Sequence, residues 1–422
     1  MDYAHPGGSK ISLAVIRRRS PDAAHRVGTL IVNPGGPGVS GRQMVTDGFG
    51  EDNGLAAYFD LVSWDTRGSG ASAPLRCDDH VAAFQALDPN PSSPAAQTAL
   101  DTAAQRIATD CGARGGELLR HMDTDTTARD LEQLRLALGG DKLSYAGYSY
   151  GTAIGLAYAR RYPTHIRAMV LDGVVPPNWD LTRLLGVQAA AIERRLGDVL
   201  RCPVAGRCPT ASAGAAYDSF ERILAKARMP ASGGRSVGAD DLATAASMAT
   251  YDPRYAVEFL HGLSAMANGD GTGIADLAAL YRTEVTSDAA YLGVVCTDLP
   301  HPQGATAYAA FATSLAQRFP RVGGGIANEV LPCAFWPAPV ARTVGVVRAA
   351  DAPSILVVGN TGDAVTPMAN STAVADELAH GVLLILKGQG HTSVSRSVCI
   401  GDAELRYLAF LTVPASGTEC DS

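Results

Sequence analysis

Residues 147–151 read GYSYG, a serine between two tyrosines with a glycine on either side. Glycines there suit a chain that doubles back tightly, and a serine at the apex of such a turn can present its hydroxyl as a nucleophile. The plainer reading is that the glycines only relieve crowding where a strand becomes a helix. A serine hydroxyl is a poor nucleophile near neutral pH and needs a base. Most of the histidines sit in unremarkable contexts: His25 lies in a loop and His165 follows Tyr162-Pro163-Thr164. His391 differs, because KGQGHTS places it on a glycine-flexed loop after the last core strand. The base in turn needs a carboxylate to fix its tautomer. Asp363 in GNTGDAVTP supplies one, and Asp172 at the end of MVLDGV is the rival. Asp363 is favoured because one helix and one strand separate it from His391, which brings neighbouring loops together. Asp172 would then hydrogen-bond loop backbone nearby. Acyl transfer also needs donors for a tetrahedral oxyanion. In NPGGPG (33–38), Gly35 and Gly36 let the backbone approach a carbonyl, and the N–H of Tyr150 is the second donor. The alternative for NPGGPG is an ordinary turn.

Positioning these groups requires a particular series of elements. ISLAVIRR (11–18) reads as a strand, and VGTLIVNPGGPG (27–38) and FDLVSWDTRGSG (59–70) each read as an apolar run ending in a glycine-rich turn. Leu131, Leu134 and Leu138 share one face of a helix over 125–140. KLSYAGYS (142–149) is a strand, a helix runs on to Tyr162-Pro163, and IRAMVLDGV (166–174) is a strand again. Apolar strands alternating with helices predict a mostly parallel sheet with helices on both faces. The alternation stops after PPNWD (176–180) and resumes at APSILVVGNTGDAVTP (352–367), a helix over 369–380 and the strand GVLLILKGQGH (381–391). The expected organisation is a core over 1–176, a helical cap over 177–345 and the rest of the core over 346–422. LDPNPSSPAAQT (87–98) reads as a Pro/Ser-rich loop. Catalytic groups in such sheets gather at the carboxyl edge of the strands, where both GYSYG and His391 fall.

The 422 residues, 46% hydrophobic and 18% charged, are enough for a large soluble core. A net charge of −7 without a basic stripe argues against nucleic acid as a partner, and no apolar run is long enough to span a bilayer. The eight cysteines, Cys77, Cys111, Cys202, Cys208, Cys296, Cys333, Cys399 and Cys420, are an even set in loop-like contexts. That favours disulfides and an exported protein. Sequential pairing is the simplest arrangement, with Cys202–Cys208 closing a short loop. No CxxC pair suggests zinc, and the chemistry above calls for no metal or cofactor. The opening MDYAHPGGSK has no charged-then-apolar leader, which keeps a cytoplasmic location as the alternative.

NPGGPG, VSWDTRGSG, GYSYG, GNTGDAVTP and GQGH, with MDTDTTARDLEQLRLALGG and SVCI, together resemble the actinobacterial tripeptidyl aminopeptidase-like serine hydrolases, relatives of the prolyl iminopeptidases. The order Ser149, Asp363, His391 is the one α/β-hydrolases use. The resemblance spans nearly the whole chain. It implies an α/β-hydrolase core, a helical cap, disulfides, usual secretion and removal of short peptides from a free N-terminus. By position it makes Ser149 the nucleophile, Asp363 the acid, His391 the base, and Gly36 and Tyr150 the oxyanion hole. Such an enzyme must also hold a substrate ammonium group. Asp180, Glu193 and Asp298 are the candidate carboxylates in the cap, each of which is otherwise a solvated charge. The alternative substrate is an ester, lactone or amide of a small molecule, and a third possibility is a hydrolase fold kept only for binding.

Overall fold

The computed structural model describes residues 1–201, 213–284, 288–340 and 345–422, so Cys202 and Cys208 lie outside the described residues. Among the described residues ten strands are present: β1 Val15–Arg18, β2 Gly28–Asn33, β3 Phe59–Trp64, β4 Leu143–Tyr148, β5 Ile166–Asp172, β6 Met229–Pro230, β7 Ser236–Val237, β8 Ile355–Gly362, β9 Gly381–Gln389 and β10 Thr418–Asp421. Eight of them form one sheet in the order β1-β3-β2-β4-β5-β8-β9-β10. Only β1 runs antiparallel to its neighbour.

The central strands β3 and β4 are buried along their whole length, as expected where helices cover both faces of a parallel sheet. Side-chain alternation then divides the core in two. Ile31, Tyr145, Met169, Leu171 and Val357 face the helices Thr124–Ala137, Gly151–Arg161 and Met368–Glu377. Leu30, Val32, Ala146, Val170 and Val358 face the helix Val398–Phe410 on the other side. Parallel ladders β2·β4, β4·β5, β5·β8 and β8·β9 bring the carboxyl ends of five strands to one edge.

Between β5 and β8 the described chain is helical apart from the short antiparallel pair β6·β7, which the sequence reading does not anticipate. A second departure is larger. The helix Pro94–Leu119 starts inside the stretch read as a loop, with Ser93 capping it and Pro94 in its first turn. Its Ile107, Ala108 and Cys111 join a cluster with Leu185, Ile192, Leu292 and Val295, while Leu100 and Ala104 pack on Tyr308, Leu331 and Ala334. This helix therefore packs against the helices between β5 and β8 rather than against the sheet. The terminal strand β10 is also absent from the sequence reading. It is too short and too charged, TECD, to read as a strand, and pairs parallel to β9.

Among the described residues three disulfides join Cys77 to Cys111, Cys296 to Cys333 and Cys399 to Cys420. The first ties the helix Pro94–Leu119 to the segment before it. The third ties β10 to the helix Val398–Phe410. Among the described residues no helix is long and apolar enough to cross a membrane. Each bridge is expected to contribute about 2–4 kcal/mol. Strong reductant should therefore lower the thermal midpoint measured by calorimetry, and Cys399→Ser alone should lower it less. A midpoint unmoved by reductant would contradict structural bridges.

Candidate active site

Ser149 sits between β4 and the helix Gly151–Arg161 with φ of +54°, a left-handed conformation that non-glycine residues rarely adopt. Its N–H donates to Asp172 O at 2.9 Å, and its carbonyl accepts from Thr152 N at 3.0 Å and Thr152 Oγ1 at 2.6 Å. The flanking glycines are steric necessities here. A Cβ at Gly147 would lie 2.5 Å from Gly151 O, and one at Gly151 would lie 2.6 Å from Asn33 O. The turn thus packs against both its own helix and the end of β2.

Ser149 and His391 line one cavity of about 220 Å³, and Asp363 lies behind His391. His391 Nδ1 is 2.9 Å from Asp363 Oδ2, and the Asp363 carboxylate is fully buried. Asp363 also accepts from Val365 N, Thr366 N, Thr366 Oγ1 and Thr392 N at 2.8–3.1 Å. Burial alone would raise its pKa. His391 and these donors outweigh it and hold the carboxyl below its ordinary value. With Nδ1 committed to Asp363, Nε2 is the nitrogen left for a hydroxyl. Such a set can take a proton from serine and return it to a leaving group.

Gly36 also lines the cavity. Gly35 does not act as expected: its N–H donates to Asn33 Oδ1 at 3.0 Å. Its lack of a side chain serves packing, since a Cβ would lie 2.7 Å from Tyr150 N. Tyr150 lines the cavity and opens the helix after Ser149. Its hydroxyl meets Asp298 Oδ2 at 2.6 Å and Thr124 Oγ1 at 2.5 Å. Asp298 further accepts from Thr124 N and Oγ1, both at 2.8 Å.

Asp298 is therefore committed to a knot that joins the helix Asp288–Asp298 to Thr124 and Tyr150, and it is not on the cavity wall. Burial pushes its carboxyl upward against those hydrogen bonds. The other two expected carboxylates are also engaged elsewhere. Glu193 accepts from the N–H groups of Arg321 and Val322, and exposed Asp180 accepts from Thr182 Oγ1 and Arg183 N at the start of the helix Leu181–Arg201. The sequence reading missed the aromatic wall formed by Tyr251, Tyr281 and Tyr291. No local spacing marks those three as neighbours.

Asp172, the rival acid, is buried beneath the site and takes Ser393 N and Oγ, both at 2.8 Å, on one oxygen. Burial pushes it up to about 6 against the pull of Ser393. Glu404 beside it is raised well above the usual range, first by burial and then by Asp172. A carboxyl with a raised folded pKa contributes stability in full below its unfolded pKa and loses it as pH rises through the folded one. Asp172→Asn, which keeps an acceptor for Ser393, should therefore gain thermal midpoint relative to wild type as pH rises from about 4 to about 6 and hold that gain above it. A difference that does not vary with pH would contradict this.

Residues 28–262 match the family model described as alpha/beta hydrolase fold, and residues 319–420 match the one described as TAP-like protein. The chain is 32% identical to the tripeptidyl aminopeptidase of Streptomyces lividans, with 100% of this chain and 82% of that protein covered. It is 31% identical to the serine protease Hip1 of Mycobacterium tuberculosis, covering 100% and 85% of the two chains. It is 33% identical to a Mycobacterium tuberculosis protein named carboxylesterase B, covering 100% and 84%. The chain is thus a hydrolase of the α/β-hydrolase fold and belongs to the tripeptidyl aminopeptidase-like family.

Proposed function

We propose that the protein is a serine exopeptidase that releases short peptides from free N-termini through an acyl-enzyme on Ser149. The observation that carries this reading is the His391–Asp363 hydrogen bond at the cavity that Ser149 also lines. In this reading His391 Nε2 takes the Ser149 hydroxyl proton as Oγ attacks the scissile carbonyl. The oxyanion is met by the N–H groups of Gly36 and Tyr150, and His391 then protonates the departing amine. Water enters on the same base and frees the acyl group. Relatives named as an aminopeptidase and as a serine protease support the substrate class. The relative named carboxylesterase B supports an esterase as the second reading, with the same machinery and an easier leaving group.

The cap in this reading is residues 177–345 together with the helix Pro94–Leu119, on a core of 1–176 and 346–422. It roofs the cavity with Leu181, Leu185, Tyr251, Tyr281 and Tyr291. Tyr281 and Tyr291 line the Ser149 cavity and also a smaller one that reaches Glu329 and Asp240. Three disulfides fit an exported enzyme.

Ser149→Ala should abolish turnover in a folded protein, and Asp363→Asn should lower kcat by roughly 10⁴-fold through loss of the correct imidazole tautomer. Retained activity in Ser149→Ala would contradict the mechanism. In a second measurement, chromogenic tripeptides with a free N-terminus should be cleaved far faster than their N-acetylated forms. Equal rates on free and acetylated peptides would leave the esterase reading in place.

A further inference from the structure

The loop that carries His391 is held by the cap as well as by Asp363. His391 N–H donates to Tyr251 O at 2.8 Å, and the Tyr251 ring packs edge-on to the imidazole with centroids 5.4 Å apart. Five residues further along the loop, Arg396 Nη1 pairs with Asp252 Oδ2 at 2.9 Å, and Arg396 Nη2 donates to the same Tyr251 carbonyl at 3.3 Å. The backbone is shaped for this contact. Gly390 has φ of +102°, and a Cβ there would lie 2.8 Å from Tyr251 O and 2.8 Å from Arg396 Nη1. On the far side of His391, Thr392 has φ of +63° and donates its N–H to Asp363 Oδ2 at 3.1 Å.

We propose that Tyr251 and Asp252, clasped by Arg396, are positioning residues for His391: a strap from the cap that sets the imidazole against Ser149. Asp363 fixes one ring nitrogen, but one hydrogen bond leaves the ring free to swing with its backbone. The glycine at 390 gives that backbone freedom, and the strap removes it. Asp252 itself is anchored, since it accepts from Arg254 N at 2.8 Å and caps the helix Pro253–Met266. Tyr251 also meets Tyr281 edge-on at 5.8 Å, so the strap adjoins the wall that substrate would touch. The cap's position is thereby coupled to the base, beyond roofing the cavity. This inference rests on the reading of His391 as the base for Ser149.

The test uses the full chain and two readouts: steady-state cleavage of a free-N-terminus peptide chromogen, and the rate at which a small fluorophosphonate labels Ser149. The second needs the base but almost nothing of the substrate site. Asp252→Asn keeps a good helix cap and deletes the charge that Arg396 grips. Arg396→Met deletes the other partner, and Arg396→Lys restores a cation. Asp252→Asn and Arg396→Met should each lower both kcat and the labelling rate by about tenfold, with KM within about twofold of wild type. Arg396→Lys should recover a large part of the loss. Variants that fold, label as fast as wild type and lose only KM would overturn the strap. Wild-type protein that shows no labelling dependent on Ser149 would instead overturn the nucleophile reading and the strap with it.

Discussion

An imidazole is useful as a base only when one nitrogen is committed and the other is aimed. The His391–Asp363 hydrogen bond makes that commitment, and much of the surrounding structure protects it. Asp363 is buried, so water does not compete for its oxygens, and four further donors keep it ionised where burial alone would favour the proton. A second buried carboxyl nearby, Asp172, has fewer donors and is pushed the other way. Two aspartates at adjacent strand ends are thus pushed in opposite directions, Asp363 downward first by His391 and then by its further donors, Asp172 upward by burial.

The sheet makes the encounter possible. Parallel strands deliver β4, β5, β8 and β9 to one edge, so residues 149, 172, 363 and 391 arrive together from distant parts of the chain. The turn at Ser149 is tight enough that β2, through Asn33 and Gly35, packs directly on it. That contact sets the loop of Gly35 and Gly36 beside the helix after Ser149. The cap then adds two further attachments near the chemistry. The Asp298–Thr124–Tyr150 knot holds the residue after Ser149, and Tyr251 holds the backbone of His391.

How much of this was legible in the sequence follows from where the constraints lie. GYSYG could be read because its glycines answer to backbone sterics within a few residues. Asp363 could be preferred to Asp172 because strand order limits which loops can meet. The alternation of apolar strands and helices gave the sheet, but TECD at 418–421 carried no strand signal, since β10 is held by β9 and a disulfide rather than by propensity. The helix Pro94–Leu119 did carry a local signal, a serine cap followed by proline, hidden in a stretch whose composition suggested a loop. The fates of Asp180, Glu193 and Asp298 were not legible. Whether a carboxylate is free depends on which N–H groups the tertiary fold brings to it, as Arg321 and Val322 come to Glu193. The same holds for Tyr251, Tyr281 and Tyr291, which meet only through the packing of cap helices.

The central claim is that Ser149 carries the substrate's N-terminal segment as an ester. Rapid acid quench during turnover of a free-N-terminus tripeptide ester, followed by digestion and mass spectrometry, reads this directly. The account predicts a mass increment equal to the tripeptide acyl group on the fragment that contains Ser149, and none on any other fragment. Turnover that proceeds with no acyl increment, or with the increment on a different residue, would contradict it.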